Sequence, residues 1–311
     1  MRKATAIFEK LVEDQRNATA EDRFRLAQFV EKAPAGSSDR LARLLAAAAQ
    51  LEAMGSRPDD TMDATAAATA KDKAEGLYRQ YAKEDPERGL TLVGFLGRQK
   101  RLDEALKLAE EACKTAKPPQ IAASCATLLY QPEITPAQMD RLAKIVAAAM
   151  QKHARPAPLL MIMAQLREMQ EKYPEAETLY RELLQRDEHF VLALNNLAGL
   201  LSLGGRQLDE AKDLIEKAIT TAGPQPSLLD TRASVYLALG QAERAVADMQ
   251  EVVDQQPAAN RYFHLALALH KLGRQAEATD SLIKARSLQL RPESLPPFER
   301  PTYAALVRAL L

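Results

Sequence analysis

Residues 229–257 read LDTRASVYLALGQAERAVADMQEVVDQQP. Leu229, Arg232, Ala233 and Tyr236 fall at the three- and four-residue steps of one helix face, and Ala245 and Met249 repeat that step on a second helix. Between them, Leu239-Gly240-Gln241 places a glycine where a helix ends in a left-handed residue. Glu243 then stands in the first turn of the next helix, where the macrodipole favours negative charge. Pro257 closes the stretch. The segment reads as two antiparallel helices joined by a short turn.

The same pattern recurs on both sides. Leu160, Met163, Ala164, Ala176 and Tyr180 form one copy, Leu194, Leu197, Ala198, Ala211 and Ile215 another, and Tyr262, Leu265, Ala266, Leu269, Ala278 and Leu282 a further one. Ala164, Ala198, Ala233 and Ala266 are 34, 35 and 33 residues apart, while Ala176, Ala211, Ala245 and Ala278 are 35, 34 and 33 apart. Two independent sets of small residues thus keep one period. A small residue on each helix lets its partner approach closely, and large residues fill the remaining volume. One hairpin cannot bury its apolar faces alone, so hairpins stack. The turns Leu203-Gly204-Gly205-Arg206 and Leu272-Gly273-Arg274 match that of the first stretch, and the additional glycine accounts for the longer second copy.

This pattern resembles the tetratricopeptide repeat family, most closely at Leu229 to Pro257 and at Asn195-Asn196-Leu197-Ala198, and the array is similar to bacterial members of the family. Leu160, Leu194 and Leu229 replace the aromatic residue that often opens the family motif, and the closing proline remains only at Pro257 in these four copies. The resemblance implies an all-α fold, a right-handed α-solenoid of antiparallel helix pairs forming a superhelix.

Outward from the four copies the signal weakens. Leu92, Val93 and Leu96, the turn Gly97 to Arg101, and Leu102 to Lys117 make an upstream unit. A degenerate unit follows, with helices at Gln120 to Tyr130 and up to Gln151 flanking the longer loop Gln131 to Pro136. The expected array therefore spans 87–289, in units of about 87–118, 119–155, 157–190, 191–225, 226–258 and 259–289. Residues 1–86 form divergent helical repeats, with helices expected at 3–13, Glu21 to Lys32, Asp39 to Met54 and Lys71 to Pro86. Their pairing does not close before residue 87, as if the chain begins mid-array. Residues 290–311 carry Pro-rich turns and then an amphipathic helix, Thr302 to Leu311, suited to capping the last apolar face.

Composition agrees with helices and excludes several classes. Glycine is scarce at 12 residues, tryptophan is absent, and long alternating β-branched runs are missing. The 42 basic and 42 acidic residues balance, which argues against a nucleic-acid partner. No apolar run is long enough to span a membrane, so membrane insertion is not expected. The start, from Met1 to Lys10, has no signal-peptide core, so a cytoplasmic location is expected, and a targeting sequence upstream remains compatible with that start. Cys113 and Cys125 read as buried thiols, not a disulfide framework.

Chemistry leaves little trace. His264 and His270, six residues apart, lie about 240° apart around a helix and do not share a ligand. His153 and His189 stand alone near helix ends. Cysteine–histidine zinc spacing, a phosphate loop and a G-x-S-x-G elbow are all missing. No enzyme activity, metal or cofactor is expected.

Binding remains. The resemblance implies that the first helix of each unit lines a concave groove, through positions 2, 5, 9, 12 and 13 and sometimes 6 of the repeat. Carried onto this sequence, these give Met161, Gln165 and Glu168, then Asn195, Asn196, Gly199 and Ser202, then Asp230 and Ser234, and then Asn260, Phe263, His264, His270 and Lys271, with Arg98 in the upstream unit. Asparagine suits an extended peptide because its carboxamide both donates and accepts. The positions that carry Lys and Arg in family members clamping a C-terminal carboxylate hold Asn195, Gln165, Asn260 and His264 here, so that mode does not transfer. The expected function is a non-enzymatic protein-interaction scaffold holding an unidentified peptide or protein segment in that groove. Two alternatives stand beside it: a regulatory or anchoring module of a larger protein, and self-association through an open edge.

Overall fold

The computed structural model describes Ala27 and residues 38–56, 64–84, 89–131 and 134–311. The helices expected at 3–13 and at Glu21 to Lys32 lie outside the described residues, apart from helical Ala27. Among the described residues there are fifteen α-helices and no strand. The chain divides into two compact units, residues 1–145 and 146–311.

In unit 1, α1 (Ser38–Ser56) pairs with α2 (Ala64–Glu84), and α2 packs on α3 (Gly89–Arg98). α3 pairs with α4 (Leu102–Ala112) and touches α5 (Pro118–Leu129). α2 starts at Ala64, before the expected Lys71, because the run ATAAATA has high helix propensity even without large apolar residues. α4 ends at Ala112, short of the expected Lys117, and residues 113–116 turn into α5, whose first residues are Pro118 and Pro119. Cys113 and Cys125 are free and buried, and burial pushes the Cys113 thiol up to about 11 and that of Cys125 higher.

The unit division falls inside α6 (Pro136–Lys152). Unit 2 then holds four hairpins: α7 (Ala157–Met169) with α8 (Tyr173–Arg186), α9 (Val191–Leu203) with α10 (Leu208–Ala222), α11 (Pro226–Ala238) with α12 (Ala242–Gln255), and α13 (Ala259–Leu272) with α14 (Gln275–Ser287). Each second helix also packs on the next first helix, which makes the solenoid. Among the first helices, α9 touches α11 and α11 touches α13, with no contact of similar extent among α10, α12 and α14. The eight period-marking alanines are at most 1% exposed, which is why no larger residue fits there.

The hairpin turns share one hydrogen bond. The Lys172, Arg206, Gln241 and Arg274 N–H groups donate to the carbonyls of Arg167, Leu201, Tyr236 and Leu269, at 2.8, 3.2, 2.8 and 2.9 Å. The bond requires a left-handed residue just before the donor. Gly205, Gly240 and Gly273 supply it, with φ of 60°, 72° and 85°, while the first turn uses Glu171 at 58°. The longer second turn adds a further left-handed residue, Gln207.

The C-terminal segment passes through two 3-10 turns, Pro292–Ser294 and Pro297–Glu299, into α15 (Arg300–Leu310). Leu295, Tyr303 and Leu306 close over Phe263, Ala266, Leu282 and Ala285 at the end of the array. The Phe263 and Tyr303 rings meet edge to face at 5.4 Å.

Candidate functional site

The first-helix layer of unit 2 places the expected residues in two groups. One group is tied into the fold. Phe263 is 1% exposed and lies under the cap, so it offers no surface to a partner, contrary to the expectation for its position. Asp230 and His264 bind each other, with His264 Nδ1 2.7 Å from Asp230 Oδ1, and His264 Nε2 lies 3.4 Å from Glu299 Oε2. Burial alone would lower the His264 pKa. The charge and hydrogen bond of Asp230, joined by Glu299, outweigh it and raise the pKa from 6.5 to about 10. The ring is a cation held between two acids, and it fastens the cap to the last hairpin.

Glu168, Tyr180, Asn196 and Asn195 form a chain of their own. Tyr180 Oη donates to Glu168 Oε2 at 2.6 Å, Asn196 Nδ2 donates to Tyr180 Oη at 3.2 Å, and Asn195 Nδ2 donates to Asn196 Oδ1 at 3.1 Å. Asn196 Nδ2 also sits 3.9 Å from Met161 Sδ. Burial raises the Glu168 pKa from 4.5 to about 7, against the lowering effect of the Tyr180 bond. Asn195 Oδ1 is sealed from solvent and has no hydrogen-bond partner.

A common rule relates the two clusters. The sixth position of one repeat reaches back to the repeat before it, as Asn196 does to Met161 and His264 to Asp230, over 35 and 34 residues. These side chains stitch neighbouring first helices together. The signal was present in the sequence as a spacing near the repeat period, but the groove pattern treats both positions as outward-facing.

Smaller ties hold others. Ser202 and Ser234 donate to the carbonyls of Gly199 and Asp230 in their own helices, at 2.8 and 3.2 Å, and His270 Nδ1 is 2.8 Å from Gln275 Oε1. In unit 1, Arg98 grips Glu52 with two bonds, at 2.6 and 2.8 Å, and Tyr78 Oη donates to the same carboxylate at 2.9 Å. Arg98 and Tyr78 also border a cavity of about 190 Å³ with Leu45, Gly94 and Ser124.

The second group is uncommitted. Gln165 is half-buried, Asn260 and Lys271 are exposed, and none of the three makes a hydrogen bond or ion pair among the described residues. The second helices differ. Arg181 of α8 pairs with Glu210 of α10 through bonds of 2.6 and 3.0 Å, Arg155 pairs with Glu182 of α8 at 2.5 Å, and Lys217 of α10 reaches Glu188 at 2.7 Å. The first of these pairs joins two second helices, and the other two tie α8 and α10 to flanking residues.

The tetratricopeptide repeat family model matches residues 163–226 and 231–286, the stretch that carries both alanine series. That stretch is a tetratricopeptide repeat array. Among solved structures, the chain is similar to a tetratricopeptide repeat protein from Parabacteroides merdae ATCC 43184, with a TM-score of 0.57 and 18% identity over 84% of this chain and 98% of that one. It is also similar to a thermophilic tetratricopeptide protein of Thermus thermophilus, with a TM-score of 0.48 and 16% identity over 61% of this chain and 97% of that one. The first likeness shows the fold. No curated protein matches the sequence. Tetratricopeptide arrays are in general interaction scaffolds without catalysis of their own, and the fold here is of that kind. No described helix is long and apolar enough to cross a membrane.

Proposed function

We propose that the face carried by the first helices of unit 2 receives a peptide or protein segment, and that the protein acts as a non-enzymatic scaffold. The observation that carries this reading is the contrast between the layers. The first helices present polar groups with unused hydrogen-bonding capacity, Gln165, Asn260 and Lys271, while the second helices α8 and α10 are joined to each other by Arg181 and Glu210 and to flanking residues by Glu182 and Lys217. Uncharged carboxamides lose less on desolvation than ions do, and each offers a donor and an acceptor, which suits the backbone of a docked segment. Asp230, His264, Asn196 and Glu168 hold the layer rigid beneath them, which limits the ordering cost of binding.

The test is affinity capture from the native lysate with the parent chain, beside a variant carrying Gln165→Ala, Asn260→Ala and Lys271→Ala. These side chains support no internal bond, so the variant keeps its fold and thermal midpoint. A partner captured by the parent and lost or weakened at least tenfold with the variant supports the reading. Capture unchanged by the variant moves the binding surface to the second helices, the turns or the ends. Recovery of the chain itself as the captured species assigns the face to self-association.

A further inference from the structure

The chain running from Glu168 to Asn195 has a property beyond the scaffold reading and independent of it: all its hydrogen bonds point the same way. Asn195 donates to Asn196, Asn196 to Tyr180, and Tyr180 to Glu168, over 3.1, 3.2 and 2.6 Å. This is the direction an ionised carboxylate requires, since it accepts only. Each intermediate group can serve in either direction. A phenol both donates and accepts, and a carboxamide turned by half a revolution exchanges its donor and acceptor at nearly the same places.

We propose that Glu168, Tyr180, Asn196 and Asn195 form a reversible relay, in which protonation of Glu168 turns every hydrogen bond around and converts the buried free end of the Asn195 carboxamide from an acceptor into a donor. One proton enters from solvent, at Glu168 Oε2. The new acid O–H donates to Tyr180 Oη, the phenol turns its hydrogen to Asn196 Oδ1, and the Asn196 amide donates to Asn195 Oδ1. No proton travels along the chain; one O–H rotates and two amides flip. The Asn195 group left over is then N–H in place of C=O, at the atom that now stands sealed and unpartnered.

Three features favour coupling. Glu168 is half-buried and Tyr180 is wholly buried, so the phenol cannot turn to water and stays on the carboxyl. The 2.6 Å contact makes the phenol respond to the charge of the carboxyl. The surroundings also leave Glu168 as the group that titrates. α9 contains no titratable residue, Arg167 of α7 is held by Glu175 of α8 at 2.8 Å, and Tyr173 and Glu171 on the other side are phenol and acid. Lys152 and His153 at the end of α6, and Arg155 held by Glu182, do not act on the carboxyl, whose pKa of about 7 comes from burial opposed by Tyr180.

The experiment is NMR of the side-chain amides of Asn195 and Asn196 and of the Glu168 carboxyl carbon, from pH 5 to pH 9. The relay predicts that all three shift with one shared midpoint near pH 7. In Glu168→Gln the amide shifts become independent of pH. In Tyr180→Phe the carboxyl still titrates, with a higher midpoint because its donor is gone, and the amides no longer follow it. A Glu168 titration in the parent that leaves both amides unmoved overturns the relay. Amides that still titrate in Glu168→Gln overturn it as well, because another group then drives them.

Discussion

Arg98 and Arg232 each grip a buried carboxylate with two nitrogens, one in each compact unit, and the spans they bridge differ. Arg232 on α11 binds Asp248 on α12 at 2.7 and 2.8 Å, sixteen residues away and inside one hairpin. Arg98 on α3 binds Glu52 on α1, 46 residues away and past the whole of α2. In the regular array, this buried pair stays inside one hairpin, and neighbouring hairpins are joined by small residues, by the half-buried Arg181–Glu210 pair and by the contacts that reach back one repeat from the sixth position. In unit 1 the small-residue series is broken, and a long-range pair that also recruits Tyr78 ties the helices together. Periodic packing is local and repeats; a pinned stretch depends on single residues.

Removing one acid from each pair sharpens that contrast. Asp248→Ala leaves Arg232, 21% exposed, facing only Glu216 at 3.6 Å, and is expected to cost about 3 kcal/mol. Hydrogen exchange should then show the loss spreading over α11 and α12, with the other hairpins of the array less affected. Glu52→Ala strands Arg98 and the Tyr78 hydroxyl together, but Arg98 is 46% exposed and water recovers part of the loss, so about 2 kcal/mol is expected. Exchange should rise in α1, α2 and α3 at once, because the pin crosses all three. Damage confined to α1 would break the comparison.

The alkaline limb of stability tests the cap of the array while leaving its packing intact. The folded-state pKa of His264 is raised from 6.5 to about 10, so its contribution is fully present below pH 6.5 and is lost as pH rises through 10. The difference in urea midpoint between the parent and His264→Gln should therefore shrink steadily from pH 6.5 to pH 10. Glu168 acts at lower pH. Its raised pKa means that stability falls between pH 4.5 and about 7 and then levels off, a slope absent in Glu168→Gln.

The smallest effects lie in the turns. Gly240 has φ of 72° and open space where a Cβ would stand, so Gly240→Ala should cost about 1 kcal/mol through backbone conformation alone. Glu171 and Lys100 occupy the left-handed region at 58° and 62° without glycine, so Glu171→Gly and Lys100→Gly should each gain up to about 1 kcal/mol in thermal or urea denaturation. Equal responses in the two units would show that the turn belongs to the hairpin, however irregular its packing.

The parts of the molecule legible in the sequence were those that repeat. The two alanine series and the glycine turns stand where their spacing placed them. Contacts joining unlike residues across unlike distances were not legible, as with Arg98 and Glu52. Within the candidate site, the repeat pattern marked Asp230, His264, Asn196 and Glu168 as outward positions, but it carries no information on whether a side chain meets solvent or its neighbour one repeat away. Phe263 shows the same limit: its position is open in the middle of an array and closed at the end, where Leu295 and Tyr303 cover it.

The most direct test of the scaffold account is photo-crosslinking of the native chain, with the photoreactive residue placed in turn at Gln165, Asn260 and Asp280. Gln165 and Asn260 lie on first helices, and Asp280 is exposed on the second helix α14. The account predicts that one partner is captured from Gln165 and Asn260 and not from Asp280. Capture from Asp280 alone would contradict it.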